Sequence, residues 1–145
     1  MKYHQGLFKP TNSKKYVGDI KNIVFRSRLE FMYMRLLDHD PNIIQWSSEE
    51  FVIMYRSPID ARMHRYFVDF FIKRKNGDDI ETVMIEMKPL SQTKPPIKKK
   101  SQKRFLKESI EWSRNSAKWN AAEDLAKKKG WKFEIVTELD VGLKY

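Results

Sequence analysis

Two carboxylates and an ammonium group occupy a stretch of the chain that is otherwise apolar. Asp69 is followed, after a gap of sixteen residues, by Glu86 and Lys88, and the runs 66–72 and 83–87 around them are largely apolar. Such strands are usually covered on both faces, and buried charges need partners or a metal ion. A solvated strand face is the alternative for Glu86 and Lys88. The apolar context favours a metal site held by two carboxylates, with an ammonium group beside it.

These residues are predicted to lie on a β-hairpin. Residues 65–73 and 82–88 are rich in aromatic and β-branched side chains, and Asn76-Gly77 between them favours a type I′ turn. If that dipeptide is a two-residue turn, the pairs are Phe67 with Glu86, Arg65 with Lys88, and Asp69 with Met84. Side chains alternate along a strand, so the two carboxylates and the ammonium group would share one face. A slip of one residue would move Asp69 to the opposite face.

The rest of the pattern predicts an α/β fold in which helices flank a mixed sheet. In chain order we expect a helix at 23–37, strands at 43–46 and 51–55, the hairpin, a helix at 101–129, and a strand at 131–136. The long helix forms in one piece or breaks at 113–116. Residues 1–22 are polar and basic and are interpreted as an N-terminal arm or loops. Residues 89–100 contain three prolines and a lysine run and are interpreted as a basic, proline-rich loop.

Length and charge indicate one basic domain, 1–145, with a polyanionic partner. The chain has 145 residues, 29 Lys and Arg against 19 Asp and Glu, and a net charge of +10. A membrane surface is the rival polyanion to nucleic acid, but no long basic amphipathic helix dominates the sequence. No apolar run approaches the ~20 residues of a membrane-spanning helix, and the N-terminus lacks an apolar signal region. We therefore expect no membrane partner.

Other chemistries lack the residues that they need. There is no cysteine, and the three histidines are isolated, so no zinc spacing is present. The glycines form no phosphate-binding loop, and no serine has the setting of a nucleophile.

The candidate site resembles that of the PD-(D/E)xK nuclease superfamily, whose core is a mixed sheet flanked by helices, as in restriction endonucleases. Asp69 and Glu86-Met87-Lys88 carry this resemblance, although Val68 stands where the superfamily usually has a proline that shapes the strand. Nearly the whole chain resembles the head completion nucleases of tailed phages, which are similar to TnsA-like transposase endonucleases. The motifs are FRSRLE at 25–30, WSSEE at 46–50, YRSPID at 55–60, HRYFVDF at 64–70, and AKW at 117–119.

The resemblance implies a Mg²⁺-dependent DNA nuclease, with Mn²⁺ as an alternative metal. Asp69 and Glu86 would be direct ligands, and the backbone carbonyl of Met87 would complete the metal shell. Glu30 matches the helical carboxylate of the family and would bind the metal directly or through water. Without the resemblance, pairing with Arg26 four residues earlier is the favoured interpretation of Glu30. The fourth catalytic candidate, Lys88, would hold the attacking water and the scissile phosphate, and the neighbouring carboxylates favour its charged form.

Candidate DNA contacts lie in three parts of the chain. They are Arg26, His64 and Arg65 near the site, Lys98, Lys99 and Lys100 in the basic loop, and Asn115 and Lys118 on the long helix. The lysine run is either a flap over DNA phosphates or a solvated loop, and the helix residues contact DNA or are plain surface.

Two classes of function remain. The first is a nuclease that, by the resemblance, processes packaged DNA in the host cytoplasm or on the virion before heads and tails join. Its partners would include portal or connector proteins of the head or neck. The second is a non-catalytic DNA-binding protein of the virion neck. A transposase-type or junction-resolving endonuclease is the nearest enzymatic alternative. The intact set Glu30, Asp69, Glu86 and Lys88 favours a nuclease, and the oligomeric state stays open.

Overall fold

The computed structural model describes residues 5–98 and 100–142 and shows a mixed α/β fold. The strands are β1 (Gly6–Leu7), β2 (Val24–Phe25), β3 (Ile43–Ser48), β4 (Val52–Arg56), β5 (Met63–Phe67), β6 (Phe70–Asn76), β7 (Asp79–Met87) and β8 (Lys132–Val136). The helices are α1 (Arg28–His39) and α2 (Gln102–Lys129), with short 3₁₀ turns at Ser13–Lys15 and Leu90–Thr93. The predicted fold class, helices flanking a mixed sheet, is confirmed.

The central sheet has the order β3-β6-β7-β8. Its first three strands are antiparallel, whereas β8 runs parallel to β7. Parallel neighbours need a long crossover, and α2 supplies it. Two smaller sheets, β1-β2 and β4-β5, lie beside the central one.

The two faces of the central sheet bury different partners. Alternate residues of β6 and β7, including Phe70 and Ile85, pack with Trp46 and the apolar stripe of α1. Phe71 and Met84 point the other way, toward α2 and the β4-β5 sheet. Both faces are therefore covered, as expected from strands that are apolar on both sides.

The predicted hairpin forms in a different register. Asn76 pairs with Asp79, so the loop residues are Gly77 and Asp78, and Gly77 has a φ of 64°. Lys75 pairs with Ile80 rather than Asp78. The predicted Asn76-Gly77 loop and the pairs Phe67 with Glu86, Arg65 with Lys88, and Asp69 with Met84 are therefore wrong. The shift is an even number of residues, so every side chain keeps its predicted face.

The first strand of the hairpin is interrupted at the candidate site. Residues 65–73 were expected to be continuous, but β5 ends at Phe67 and pairs with β4, while β6 begins at Phe70. The intervening residues bond to the chain before β4, because the Val68 amide donates to the Phe51 carbonyl and the Asp69 carbonyl accepts from Glu49, each at 3.1 Å. Asp69 thus lies where the chain passes from the small sheet into the central one.

Both helices begin at serine caps. The Ser27 hydroxyl accepts from the Glu30 amide at 3.1 Å, so α1 starts at Arg28 and not at residue 23 as predicted. In α2 the Ser101 hydroxyl accepts from Arg104, and Gly130 ends the helix with a φ of 72°. The helix is one piece. Polar residues at 113–116 lower helix propensity only slightly, and burial of the following turns offsets that loss.

The N-terminal segment, expected to be an arm or loops, lies against the core where it is described. Phe8 and Tyr16 are buried, and the Tyr16 residue bridges to Trp46. The buried Asp38 carboxylate accepts the amides of Thr11 and Asn12 at 2.8 and 3.0 Å. Among the described residues no helix combines the length and apolar character needed to cross a bilayer.

The exit from β7 is fastened by the C-terminal part of the chain. The Lys88 amide donates to the Val136 carbonyl at 3.0 Å. The Leu90 amide donates to the buried Glu138 carboxylate at 2.6 Å. These two bonds fix the backbone on both sides of Pro89, at the start of the proline-rich segment.

Candidate active site

The carboxyl groups of Asp69 and Glu86, called the acidic pair below, meet on the α2 side of the central sheet. Glu86 lies on β7 and is only 5% exposed. The Met87 amide donates to Asp69 Oδ2 at 2.7 Å, which holds Asp69 against the same strand. Burial first, and then the charge of Glu86, raise the pKa of Asp69 well above its usual value. Asp69 therefore favours its protonated form when no other cation is present.

Two neutral donors fix the orientation of Glu86. The Tyr66 hydroxyl, from β5, donates to Oε1 at 2.9 Å, and the Trp119 indole nitrogen, from α2, donates to Oε2 at 3.2 Å. Lys88 Nζ lies 3.8 Å from the same Oε2. Tyr66 and Trp119 were not among the predicted site residues. Their only sequence signal is that they fall within the motifs HRYFVDF and AKW.

Glu30 lies at the margin of the acidic pair. Its Oε2 accepts a hydrogen bond from the Arg26 amide at 2.6 Å. This is a variant of the capping box, because the helical Glu usually accepts from the amide of the cap residue, which here is Ser27. Burial raises the pKa of Glu30, the Arg26 amide lowers it, and the nearby charge of Glu49 raises it again. The charge of Glu30 contributes to the raised pKa of Asp69, so the two carboxyl groups are electrostatically coupled.

Arg26 pairs with Glu49 rather than with Glu30. Its Nη1 lies 2.6 and 2.7 Å from the two oxygens of Glu49. Glu49 has a left-handed φ of 55°, and its amide bonds the Asp69 carbonyl. The sequence interpretation assigned no role to Glu49, which is a fourth carboxylate near the site.

The predicted DNA contacts occupy several different surfaces. On β5, His64 bonds Asp60 at 2.7 Å, and the Arg65 guanidinium lies 5.7 Å from the Phe67 ring centroid. On α2, Lys118 Nζ lies 5.6 Å from the ring of Tyr66, beside the acidic pair.

Asn115 and Lys88 line a cleft of about 790 Å³ between α2 and the proline-rich segment. Lys98 and Lys100 are exposed, and Lys99 lies outside the described residues.

The donor set suits a small divalent cation. Within residues 5–98 and 100–142, no three His, Cys, Asp or Glu side chains form a group that could hold a metal on their own. Mg²⁺ usually needs only one or two carboxylates, since waters and substrate phosphates complete its shell. After accepting the bonds from Tyr66 and Trp119, the Glu86 oxygens still have lone pairs to offer. A divalent cation between Asp69 and Glu86 would replace the proton that burial favours on Asp69, so the residues fit Mg²⁺ or Mn²⁺.

The helix-flanked mixed sheet is the fold expected of the restriction-endonuclease-like class of nucleases. The candidate residues Asp69, Glu86 and Lys88 gather at one end of that sheet. Comparison with known proteins agrees. Residues 40–138 match the TnsA-like endonuclease N-terminal family. The head completion nuclease of Enterobacteria phage T4 is 41% identical over 140 residues, covering 93% of this chain and 91% of the relative. The chain belongs to the TnsA-like endonuclease family, and the predicted relationship to phage head completion nucleases is confirmed.

Proposed function

We propose that this protein is a Mg²⁺-dependent DNA nuclease that hydrolyses phosphodiester bonds at the acidic pair. The observation that carries the proposal is the buried contact between Asp69 and Glu86. Two like charges held together away from water reduce stability unless a cation lies between them. A protein that only binds DNA has no need of such a contact.

The chain's own groups divide the work at the site. Asp69, Glu86 and the Met87 carbonyl would hold the metal, and Glu30 would add a contact through water. When bound, Mg²⁺ supplies positive charge to the phosphoryl oxygens and activates a water molecule. Tyr66 and Trp119 keep Glu86 oriented by the hydrogen bonds that they donate.

Lys88 holds the substrate by charge. Its ammonium group lies 3.8 Å from Glu86 and faces the cleft, where a scissile phosphate can reach it. A positive group there attracts the phosphate and steadies the attacking water. We assign it this electrostatic role rather than that of a base, because its Nζ lies beside the Glu86 carboxylate and at the edge of the cleft through which a phosphate would approach.

The phage relative supports a role in assembly. The relative from phage T4 is a head completion nuclease. We infer that this protein acts on packaged DNA in the host cytoplasm before heads and tails join, and that it docks on a portal or connector protein. Arg26, His64, Arg65, Lys98, Lys99, Lys100, Asn115 and Lys118 are the proposed DNA contacts.

One cleavage assay tests the proposal. The purified protein is incubated with closed circular plasmid and with end-labelled linear duplex in Mg²⁺, Mn²⁺ or EDTA. We expect cleavage with either metal and none in EDTA. Nicking of the closed circle identifies an endonuclease, whereas loss from labelled ends alone identifies an exonuclease. Failure to cut any DNA with either metal would contradict the proposal.

Phage carrying Asp69→Asn test the assembly role. We expect DNA-filled heads that do not join tails, because Asn is nearly isosteric and leaves folding and DNA binding intact. The measurements are infectious titre and cleavage by the same purified variant. A normal titre from a variant that cannot cut DNA would favour a scaffold role in the neck.

A further inference from the structure

The cleft beside Lys88 extends away from the acidic pair. Its volume is about 790 Å³, within the range of about 300–1,000 Å³ typical of ligand pockets. The proline-rich segment after β7, including Lys94, forms one wall. The N-terminal half of α2 forms the other, including Arg104, Lys107 and Trp112. Lys88 stands at the end where the cleft meets the catalytic candidates.

The charge of this cleft suits phosphate groups. Its two acidic residues have basic partners, because Arg104 Nε lies 3.2 Å from Glu108 and Arg114 Nη1 lies 2.5 Å from Glu111. Lys94 and Lys107 also line the cleft, and neither forms an ion pair within the described part of the chain. Two lysines whose charges are not matched by carboxylates leave the cleft positive, as needed for a nucleic-acid backbone.

One aromatic ring connects the cleft to the acidic pair. Trp112 lines the cleft and is partly exposed. Its ring packs edge-to-face on Trp119, with centroids 5.6 Å apart at 85°. Trp119 in turn donates to Glu86. A base that stacked on Trp112 would therefore lie within two side chains of the site of hydrolysis.

We propose that this cleft binds an unpaired strand of DNA next to the scissile phosphodiester, with one base stacked on Trp112. The inference rests on the proposed nuclease function and specifies its substrate. Bases inside a duplex are already stacked on both sides, so only an unpaired base can stack on an indole ring. Positive grooves with aromatic side chains are the usual means of binding single strands without sequence preference.

The preferred substrate is therefore DNA with a single-stranded extension, a flap or a frayed end, and it is favoured over plain duplex. It would be cut where the duplex gives way to the single strand. Lys94 and Lys107 would follow the backbone of that strand, and Lys88 would hold the phosphate that is cut.

Binding measurements without metal test this inference. The full protein is titrated in EDTA with a blunt duplex and with the same duplex carrying a 3′ or 5′ extension. We expect tighter binding of one extended duplex. Trp112→Leu should weaken binding of that duplex by about 5- to 150-fold, the range for loss of one stacked base. It should leave the blunt duplex unchanged, and Trp112→Phe, which keeps an aromatic ring, should lose less.

Lys107→Gln provides a second variant that does not touch Trp119. It should reduce the slope of log affinity against log salt by about 0.7 for the extended duplex, the value for one single-strand phosphate contact. Lys127→Gln, in the last turn of the same helix, is the matched control and should leave the slope unchanged.

Three outcomes separate the possibilities. Equal binding of blunt and extended duplexes by the unaltered protein overturns the inference. A Trp112→Leu variant that loses affinity for both duplexes equally also overturns it, because Trp112 would then act only by supporting Trp119. Selective binding of the extended duplex, together with failure to cut DNA in Mg²⁺ or Mn²⁺, would support the cleft and refute the nuclease proposal.

Discussion

Two charged clusters on strands β6, β7 and β8 of one sheet are built in opposite ways. Near the hairpin turn, Arg74 lies 2.6 Å from Glu81 and 2.5 Å from Glu134, and Lys132 lies 2.8 Å from Glu81. We call these four residues the ion network. Hydrogen bonds from Lys132 and then Arg74 lower the pKa of Glu81 to about 2. At the other end of the strands, the pKa of Asp69 in the acidic pair is raised.

The difference separates a cluster suited to stability from one that is a candidate for chemistry. In the ion network Glu81 has Arg74 and Lys132 beside it, so folding favours the charged form of Glu81. In the acidic pair two buried carboxyl groups face each other, so folding disfavours the second charge. Strained arrangements that persist in a folded protein are commonly found at functional sites. The pKa directions at the two ends of the β6-β7 hairpin thus distinguish a structural cluster from a candidate catalytic one.

The largest expected effect comes from removing one charge of the acidic pair. Asp69→Asn should reduce the cleavage rate by on the order of 10²–10³-fold, since the site loses a metal-binding charge. Mg²⁺ at 100 times its Kd should stabilise the unaltered protein by about 2.7 kcal/mol, and the variant much less. Plasmid cleavage and thermal unfolding with and without Mg²⁺ measure both effects. Cleavage at the parent rate would show that Asp69 is not a ligand.

Removing the donors that orient Glu86 should have an intermediate effect. Tyr66→Phe and Trp119→Phe each delete one hydrogen bond and keep most of the packing. We expect a 10- to 100-fold loss of metal affinity or activity, the range for residues that position metal ligands. The measurement is the cleavage rate as a function of Mg²⁺ concentration.

Tyr55→Phe is the matched control for these two variants. Tyr55 is buried in the same apolar cluster as Tyr66, and among the described residues no hydrogen bond joins it to Glu86. It should behave as the parent protein does. If all three variants lost the same activity, packing and not hydrogen bonding to Glu86 would be responsible.

A smaller effect is expected on stability as the pH changes. The raised pKa of Asp69 means that the folded state retains a proton that the unfolded state has lost. Without metal, the free energy of unfolding should therefore fall as the pH rises from the usual Asp range through the raised value. Glu30, whose pKa is also raised, contributes in the same direction. Urea unfolding in EDTA at several pH values measures the slope.

Asp69→Asn should flatten this dependence. It should also raise the free energy of unfolding near neutral pH by about 0.5–2 kcal/mol, the usual range for single stabilising substitutions. Glu81 contributes a pH dependence of the opposite sign. The stability that comes from its lowered pKa is lost as the pH falls from the usual Glu range toward about 2. An unchanged slope in the variant would mean that the acidic pair is not strained.

The smallest effect should come from the ion network. Glu81→Gln should destabilise the protein by about 1 kcal/mol or less, the range for ion pairs at a protein surface. It should leave cleavage unchanged, because the ion network lies at the hairpin-turn end of β6 and β7. Unfolding and plasmid cleavage by the same preparation check both expectations. A large loss of cleavage would remove the distinction between the two clusters.

Strand alternation carried most of the sequence prediction. It placed Asp69, Glu86 and Lys88 on one face, and that placement survived a wrong register because the error was an even number of residues. The interruption after Phe67 could not be foreseen, since Val68 and Asp69 include no proline or glycine. The interruption results from the pairing of β5 with β4, which is a tertiary interaction.

Contacts between distant segments were beyond the sequence pattern. Trp119 reaches Glu86 from a helix 33 positions away, and nothing periodic relates the two. The position of the Glu49 side chain depends on a left-handed backbone conformation, which a glutamate in the sequence does not predict. The predicted start of α1 is too early for a different reason. Apolar Ile23 and Phe25 extend the helical pattern to the N-terminal side of the cap at Ser27.

The fastening of Lys88 by β8 has a consequence for how the protein matures during translation. The Lys88 amide bonds Val136, and the neighbouring strand lies beyond the whole of α2. Such distant pairings form late, since a long loop must close first. A ribosome must therefore release residue 136 before the segment carrying Lys88 can take its final place. The nascent chain is expected to remain unable to cut nucleic acid until then, so hydrolytic competence would arise only after β8 has emerged.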